Sequence, residues 1–149
     1  MRNVLTIAFL FIAVACDPGG KEASIDEAVT KKVFDHHVRT FQQNDLEGVM
    51  ADYTEESILI TPDRTFKGLA EIRENFVGAF GALPTNGTTM TVTKSVVQGD
   101  VAYFIWKAMT PTLDFKYATD TFIVADGKIK TQTFAGDIVP ITASDTPPK

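Results

Sequence analysis

The sequence predicts an α+β domain in which a curved antiparallel sheet packs on three helices from the N-terminal half. Three segments before residue 84 carry apolar residues at helical spacing. From Thr88 onward the apolar period falls to two, over four runs rich in Val, Ile, Thr and aromatic residues. Two turn pairs, Gly99-Asp100 and Asp126-Gly127, sit where successive strands would reverse.

Before the domain, a basic start at Met1-Arg2 leads into an apolar run over 4–15, too short to span a bilayer as a helix. The run ends at Cys16, the chain's one cysteine, and Ala13-Val14-Ala15-Cys16 resembles the lipobox of bacterial lipoproteins. Residues 1–15 are therefore expected to be a signal peptide and Cys16 the lipidated new N-terminus. That would tether the protein to a membrane of the cell envelope, on the periplasmic side in a Gram-negative cell. An ordinary secretory signal that leaves Cys16 as a free thiol is the alternative. Residues 16–23 are turn formers without apolar period, read as a flexible tether, and 142–149 as a tail that does not pack. One domain over 24–141 remains.

Without Arg2, 13 basic side chains face 19 acidic ones, a formal charge of −6 (13 − 19). Such acidity disfavours nucleic acid as a partner, because phosphate binding needs concentrated positive charge. With no second cysteine, packing alone must stabilise the fold.

The elements follow in order. Ser24 with Glu27 reads as a capping box opening the first helix, whose Val33, Phe34, Val38 and Phe41 share one arc. His37 lies inside that arc, while His36 points to the opposite, solvated side. Asp45 is expected to cap a short second helix through Leu46, Val49, Met50 and Tyr53. Residues 57–61 form a short strand ending at the turn pair Pro62-Asp63, with Thr65-Phe66 returning beside it. A third helix begins after Gly68, carries Leu69, Ile72, Phe76, Phe80 and Leu83, and stops at Pro84. Strands over 89–97, 101–109, 116–125 and 128–139 complete the domain.

This order of elements, with residues 36–53 (HHVRTFQQNDLEGVMADY), 60–63 (ITPD), 66–73 (FKGLAEIR), 119–122 (TDTF), 126–129 (DGKI) and 132–134 (QTF), resembles the SnoaL-like branch of the nuclear transport factor 2 superfamily. The resemblance implies a cone-shaped fold (nuclear transport factor 2-like, cystatin-like), open at one end, with a pocket between helices and sheet. Relatives include ketosteroid isomerases, polyketide cyclases, dehydratases, epoxide hydrolases and non-catalytic modules, mostly dimers through the sheet. Fold does not choose among them.

In the ketosteroid isomerases a helix tyrosine, a carboxylate base and a protonated aspartate do the chemistry, the first and last holding an oxyanion. Laid onto this chain, the tyrosine falls at His37 and the later aspartate at Asp120. The base falls at or beside Thr61, which cannot take a proton, leaving Asp63 to lean back into the pocket mouth. His37 and Asp120 are expected to meet across the cavity, the carboxylate fixing the imidazole tautomer. A buried His–Asp pair without chemistry is the bland alternative. Gln132 and Phe134 share a face that the resemblance turns inward, and Tyr53, Trp106, Tyr117, Phe76 and Phe80 are further lining candidates, though regularly spaced aromatics often simply fill volume.

Adjacent histidines about 100° apart cannot share an ion, there is no third histidine, and the one cysteine, Cys16, is assigned to the anchor, so no metal or other cofactor is expected. No serine sits in a nucleophile elbow. The expected function is binding of a small, largely apolar molecule in the cone of an envelope-anchored homodimer. The first alternative is a cofactor-independent isomerase, cyclase or dehydratase using His37 and Asp120. The second is a dimeric protein-interaction module.

Overall fold

A computed structural model describes residues 26–142. The expected signal peptide (1–15), Cys16, the expected tether (16–23), Ser24 and residues 143–149 lie outside them. The elements are α1 (Glu27–Gln42), α2 (Leu46–Met50), β1 (Ile58–Ile60), β2 (Thr65–Lys67), α3 (Gly68–Ala82), β3 (Thr89–Gln98), β4 (Val101–Met109), β5 (Leu113–Ala125) and β6 (Lys128–Pro140).

Local chemistry sets these boundaries. Helix α1 is capped by Asp26, whose side chain accepts from the Ala28 N–H, so the cap falls two residues after the expected Ser24. Asp45 caps α2 as expected, accepting from the Gly48 N–H. The Asp126-Gly127 turn has positive φ at both residues, the geometry that suits a tight hairpin between right-twisted strands. Strand β5 starts at Leu113, three residues before the expected 116, because Thr110 folds the Pro111 turn on itself. Its Oγ1 accepts from Leu113 N–H at 2.9 Å and its own N–H donates to the Leu113 carbonyl.

The six strands form one open sheet in the order β2-β1-β6-β5-β4-β3. Every neighbouring pair is antiparallel except β1 and β6, which run parallel with Ile58 opposite Thr131 and Ile60 opposite Thr133. The sheet is antiparallel as expected except at this junction, whose direction the sequence pattern did not specify. Periodicity reports which face a residue takes and is silent on strand direction.

Register shifts in β3–β4, in β4–β5 and at two places in β5–β6 bend the sheet so that it wraps α1 and α3 without closing. Ala102, Phe104, Trp106 and Ala108 of β4, and Phe115, Ala118, Phe122 and Val124 of β5, form the buried inner face. Phe34 of α1 meets Phe104 edge-on with ring centroids 5.6 Å apart. The inward alternation places a carboxyl, Asp120, and an amide, Gln132, in the same apolar layer.

Candidate functional site

A cavity of about 760 Å³ lies between the inner face of the sheet and the helices α1 and α3. Most of its wall is aromatic or aliphatic, including Phe41, Phe76, Trp106, Phe115 and Phe134. Its exposed rim carries Pro62, Asp63, Arg64 and Glu74. Three buried polar side chains face it from within: His37 of α1, Asp120 of β5 and Gln132 of β6.

A buried carboxyl must find donors, and Asp120 has one for each oxygen. Trp106 Nε1–H donates to Oδ2 and Gln132 Nε2–H to Oδ1, both at 2.8 Å. The amide oxygen of Gln132 accepts in turn from the Tyr53 hydroxyl. Burial pushes Asp120 above the ordinary carboxylate range, against the pull of these two donors and of the nearby His37. Burial, then the charges of Asp120 and Asp52, pushes the Tyr53 phenol well above its usual range, so it stays a donor.

His37 is 2% exposed and packs against Tyr53, Phe76 and Phe122, the last at 4.9 Å between ring centroids. Its Nδ1 lies 3.3 Å from Asp52 Oδ2, while His36 Nδ1 lies 2.8 Å from Oδ1 of the same carboxylate. Asp52 follows α2 and is itself fixed, its carbonyl accepting from Ile129 N–H at 2.8 Å. Two expectations are therefore corrected. His37 and Asp120 share a cavity, but the carboxylate bound to the imidazole is Asp52. His36, expected in solvent, is half-buried because that carboxylate reaches both histidines. Asp52 was missed because it sits past a helix end, outside any periodic pattern. Its signal was an acid beside the core-bound Tyr53, with two adjacent histidines one helix earlier.

The remaining candidates divide. Trp106, Gln132, Phe134, Thr61 and Asp63 line the cavity. Thr61 Oγ1 is engaged with Arg64 as both donor and acceptor, closing the β1–β2 turn, and Asp63 is exposed on that turn. Tyr53 sits behind the wall and acts through Gln132. Tyr117 does not belong to the site: it is 42% exposed on the outer face. The bulge between Phe115 and Tyr117 inserts Lys116 and switches the parity of the strand, so Ala118, not Tyr117, follows Phe115 inward. Gly136 allows the close approach there, since a Cβ would stand 2.9 Å from the Tyr117 carbonyl oxygen. Among the described residues no group of three or more potential ligands could hold a metal.

A family model, described as a SnoaL-like domain, matches residues 34–132. The search of curated proteins returns no match. Among solved structures, an epoxide hydrolase/cyclase-like enzyme, SalBIII, with a role in pyran ring formation in the polyether salinomycin, is 20% identical. The alignment covers 78% of this chain and 98% of that one, with a TM-score of 0.64. A candidate ketosteroid isomerase from Kribbella flavida DSM 17836 is 17% identical over 82% of this chain and 84% of its own, with a TM-score of 0.61. A candidate polyketide cyclase from Sinorhizobium meliloti is 17% identical over 73% and 98%, with a TM-score of 0.60. At these identities the likeness is one of fold.

The elevated Asp120 has a stability consequence. Because the folded state holds this proton more tightly than the unfolded chain, the group's contribution falls as pH rises above the ordinary value of 3.8. Urea unfolding of wild type and Asp120→Asn from about pH 3 to about pH 7 should show the difference shifting steadily in the variant's favour. A pH-independent difference would contradict the assignment.

Proposed function

The chain belongs to the SnoaL-like domain family, and we propose that it binds a small, largely apolar molecule in the cavity of its curved sheet. The carrying observation is the cavity itself: about 760 Å³, walled by aromatic rings, with an imidazole, a carboxyl and an amide converging from its buried side. That is the make-up of a small-molecule site, where apolar walls supply affinity and a few polar groups fix orientation. The exposed Asp63 and Arg64 at the rim complete an amphipathic entrance.

A second reading, acid–base catalysis, is favoured by the hydrogen bond between His37 and Asp52. A carboxylate on Nδ1 holds the ring in one orientation and one tautomer, which a general base requires. In this reading His37 takes a proton from the bound molecule, and Asp120, whose hold on a proton is strengthened by burial, returns one or hydrogen-bonds the developing charge. The reaction class is isomerisation, cyclisation or dehydration without a cofactor.

We also propose that Cys16 carries a lipid anchor, supported by the Ala13-Val14-Ala15-Cys16 motif behind an apolar run. Pairing into a homodimer is supported by Val96, Val101, Tyr117 and Ile123, exposed on the outer face of the sheet.

Fluorescence titration with N-phenyl-1-naphthylamine should show saturable binding of one probe per chain. Ala79→Trp, on the α3 side of the cavity, should weaken it by about tenfold or more by filling the space. Unsaturable binding, or binding indifferent to Ala79→Trp, contradicts the reading. If the site is catalytic, Asp120→Asn should reduce turnover by about 10² to 10⁴ while leaving probe binding intact. For the anchor, the wild-type chain expressed in bacteria should fractionate with membranes and incorporate labelled palmitate, whereas Cys16→Ser should do neither. Sedimentation of the detergent-solubilised protein at the monomer mass would contradict pairing.

A further inference from the structure

The cavity's polar atoms divide unequally into donors and acceptors, and that division says what kind of polar group a ligand brings. The Trp106 N–H is taken by Asp120, the Tyr53 O–H by Gln132, and one amide hydrogen of Gln132 by Asp120. Asp52 lies 2.8 Å from Nδ1 of His36 and 3.3 Å from Nδ1 of His37, and since a carboxylate can only accept there, a neutral His37 paired with it carries its proton on Nδ1 and none on Nε2. No hydrogen-bond partner among the described residues reaches Nε2. Among the described residues Thr88 Oγ1 is the buried side-chain polar atom left without one, so Nε2 is not sealed in the core. Since His37 lines the cavity, its bare nitrogen is open to whatever enters.

Resting on the reading of this cavity as a small-molecule site, we infer that its ligand is an alcohol or phenol on an apolar frame, whose hydroxyl donates to His37 Nε2, with Asp52 as the positioning residue that sets this polarity. Among the buried polar side chains of the same cavity, Gln132 keeps a second amide hydrogen beyond the one it gives Asp120. A hydroxyl suits the pair, because it donates to the imidazole and accepts from the amide. It also suits Asp120 in either protonation state. A ketone or ether, which only accepts, would leave the imidazole lone pair desolvated and unpaired. The site thus has the opposite polarity to an oxyanion hole, whose preorganised donors wait for a carbonyl oxygen.

The test compares two nearly isosteric probes, 4-phenylcyclohexanol and 4-phenylcyclohexanone, by calorimetric titration of the full chain. The alcohol should bind about three- to tenfold more tightly, the scale of one net hydrogen bond. In His37→Phe the ratio should fall to about one with the ketone's affinity little changed. Independently, ¹⁵N-edited NMR of the wild type should show His37 protonated on Nδ1 at neutral pH, and Asp52→Leu should abolish that fixed tautomer. A ketone that binds as well as the alcohol, or an Nε2–H tautomer in the wild type, overturns the inference and leaves the apolar cavity standing. If neither probe binds and N-phenyl-1-naphthylamine does not either, the small-molecule reading itself falls and the inference with it.

Discussion

A carboxyl group placed in the middle of an aromatic layer has to be satisfied there, and most of the interior of this protein is arranged around that requirement. Asp120 points inward because the alternation of β5 leaves it no choice, between Ala118 and Phe122. Its two oxygens then fix what the neighbouring strands must offer: an indole N–H from β4 and an amide from β6. The amide, oriented by its own donation, turns its oxygen toward Tyr53 beyond α2. Four side chains from four parts of the chain are locked into one hydrogen-bond sequence. A partly satisfied network of this kind would be worse than an apolar core, so it specifies the packing of the layer as firmly as the rings do.

The same reasoning explains why the cavity survives. Close-packed interiors rarely keep voids larger than a water molecule. Here the register shifts curve the sheet around α1 and α3 without closing it, and the aromatic rings are held in contact with one another. Trp106 stacks on Phe115 at 5.5 Å, and Phe41 and Phe76 lean on Phe80. Propped against neighbours on the wall, they cannot all collapse into the space between. The open edges of the sheet are short or interrupted. Strand β2 has three residues, and β3 carries a bulge and Lys94.

How much of this the sequence disclosed depended on whether the determining force was local. Periodicity located the three helices and the four long strands, a β-branched run and a turn pair the two short ones, and the resemblance turned Asp120 and Gln132 inward. Asp45 as a cap and Asp126-Gly127 as a turn were legible because each acts on backbone groups within a few residues. What stayed hidden was set at long range. The parallel seam between β1 and β6 joins segments about seventy residues apart. The bulge that expels Tyr117 depends on the close approach of Gly136 from the next strand, which nothing in the local pattern of β5 announces. Asp52 is the most instructive case. It belongs to no stripe, yet its carboxyl is hydrogen-bonded to the histidine that the resemblance singled out.

That case also shows how a fold can keep its frame while its chemistry changes. In the arrangement the resemblance implies, a phenol and a protonated carboxyl present two donors to an oxygen, and a carboxylate supplies the base. On the positions that the resemblance assigns, the base would fall at Thr61, bound up in a turn, and the phenol at His37. Replacing a donor with an imidazole would accomplish nothing if the ring could flip or exchange tautomers. A carboxylate on Nδ1 removes that freedom and turns the remaining nitrogen into a defined acceptor. His36 contributes by occupying the second oxygen of Asp52, so that the carboxylate is held from both sides and cannot swing away from His37. The pair of adjacent histidines, which as a metal site made no sense, is intelligible as one cavity-lining ring and one brace.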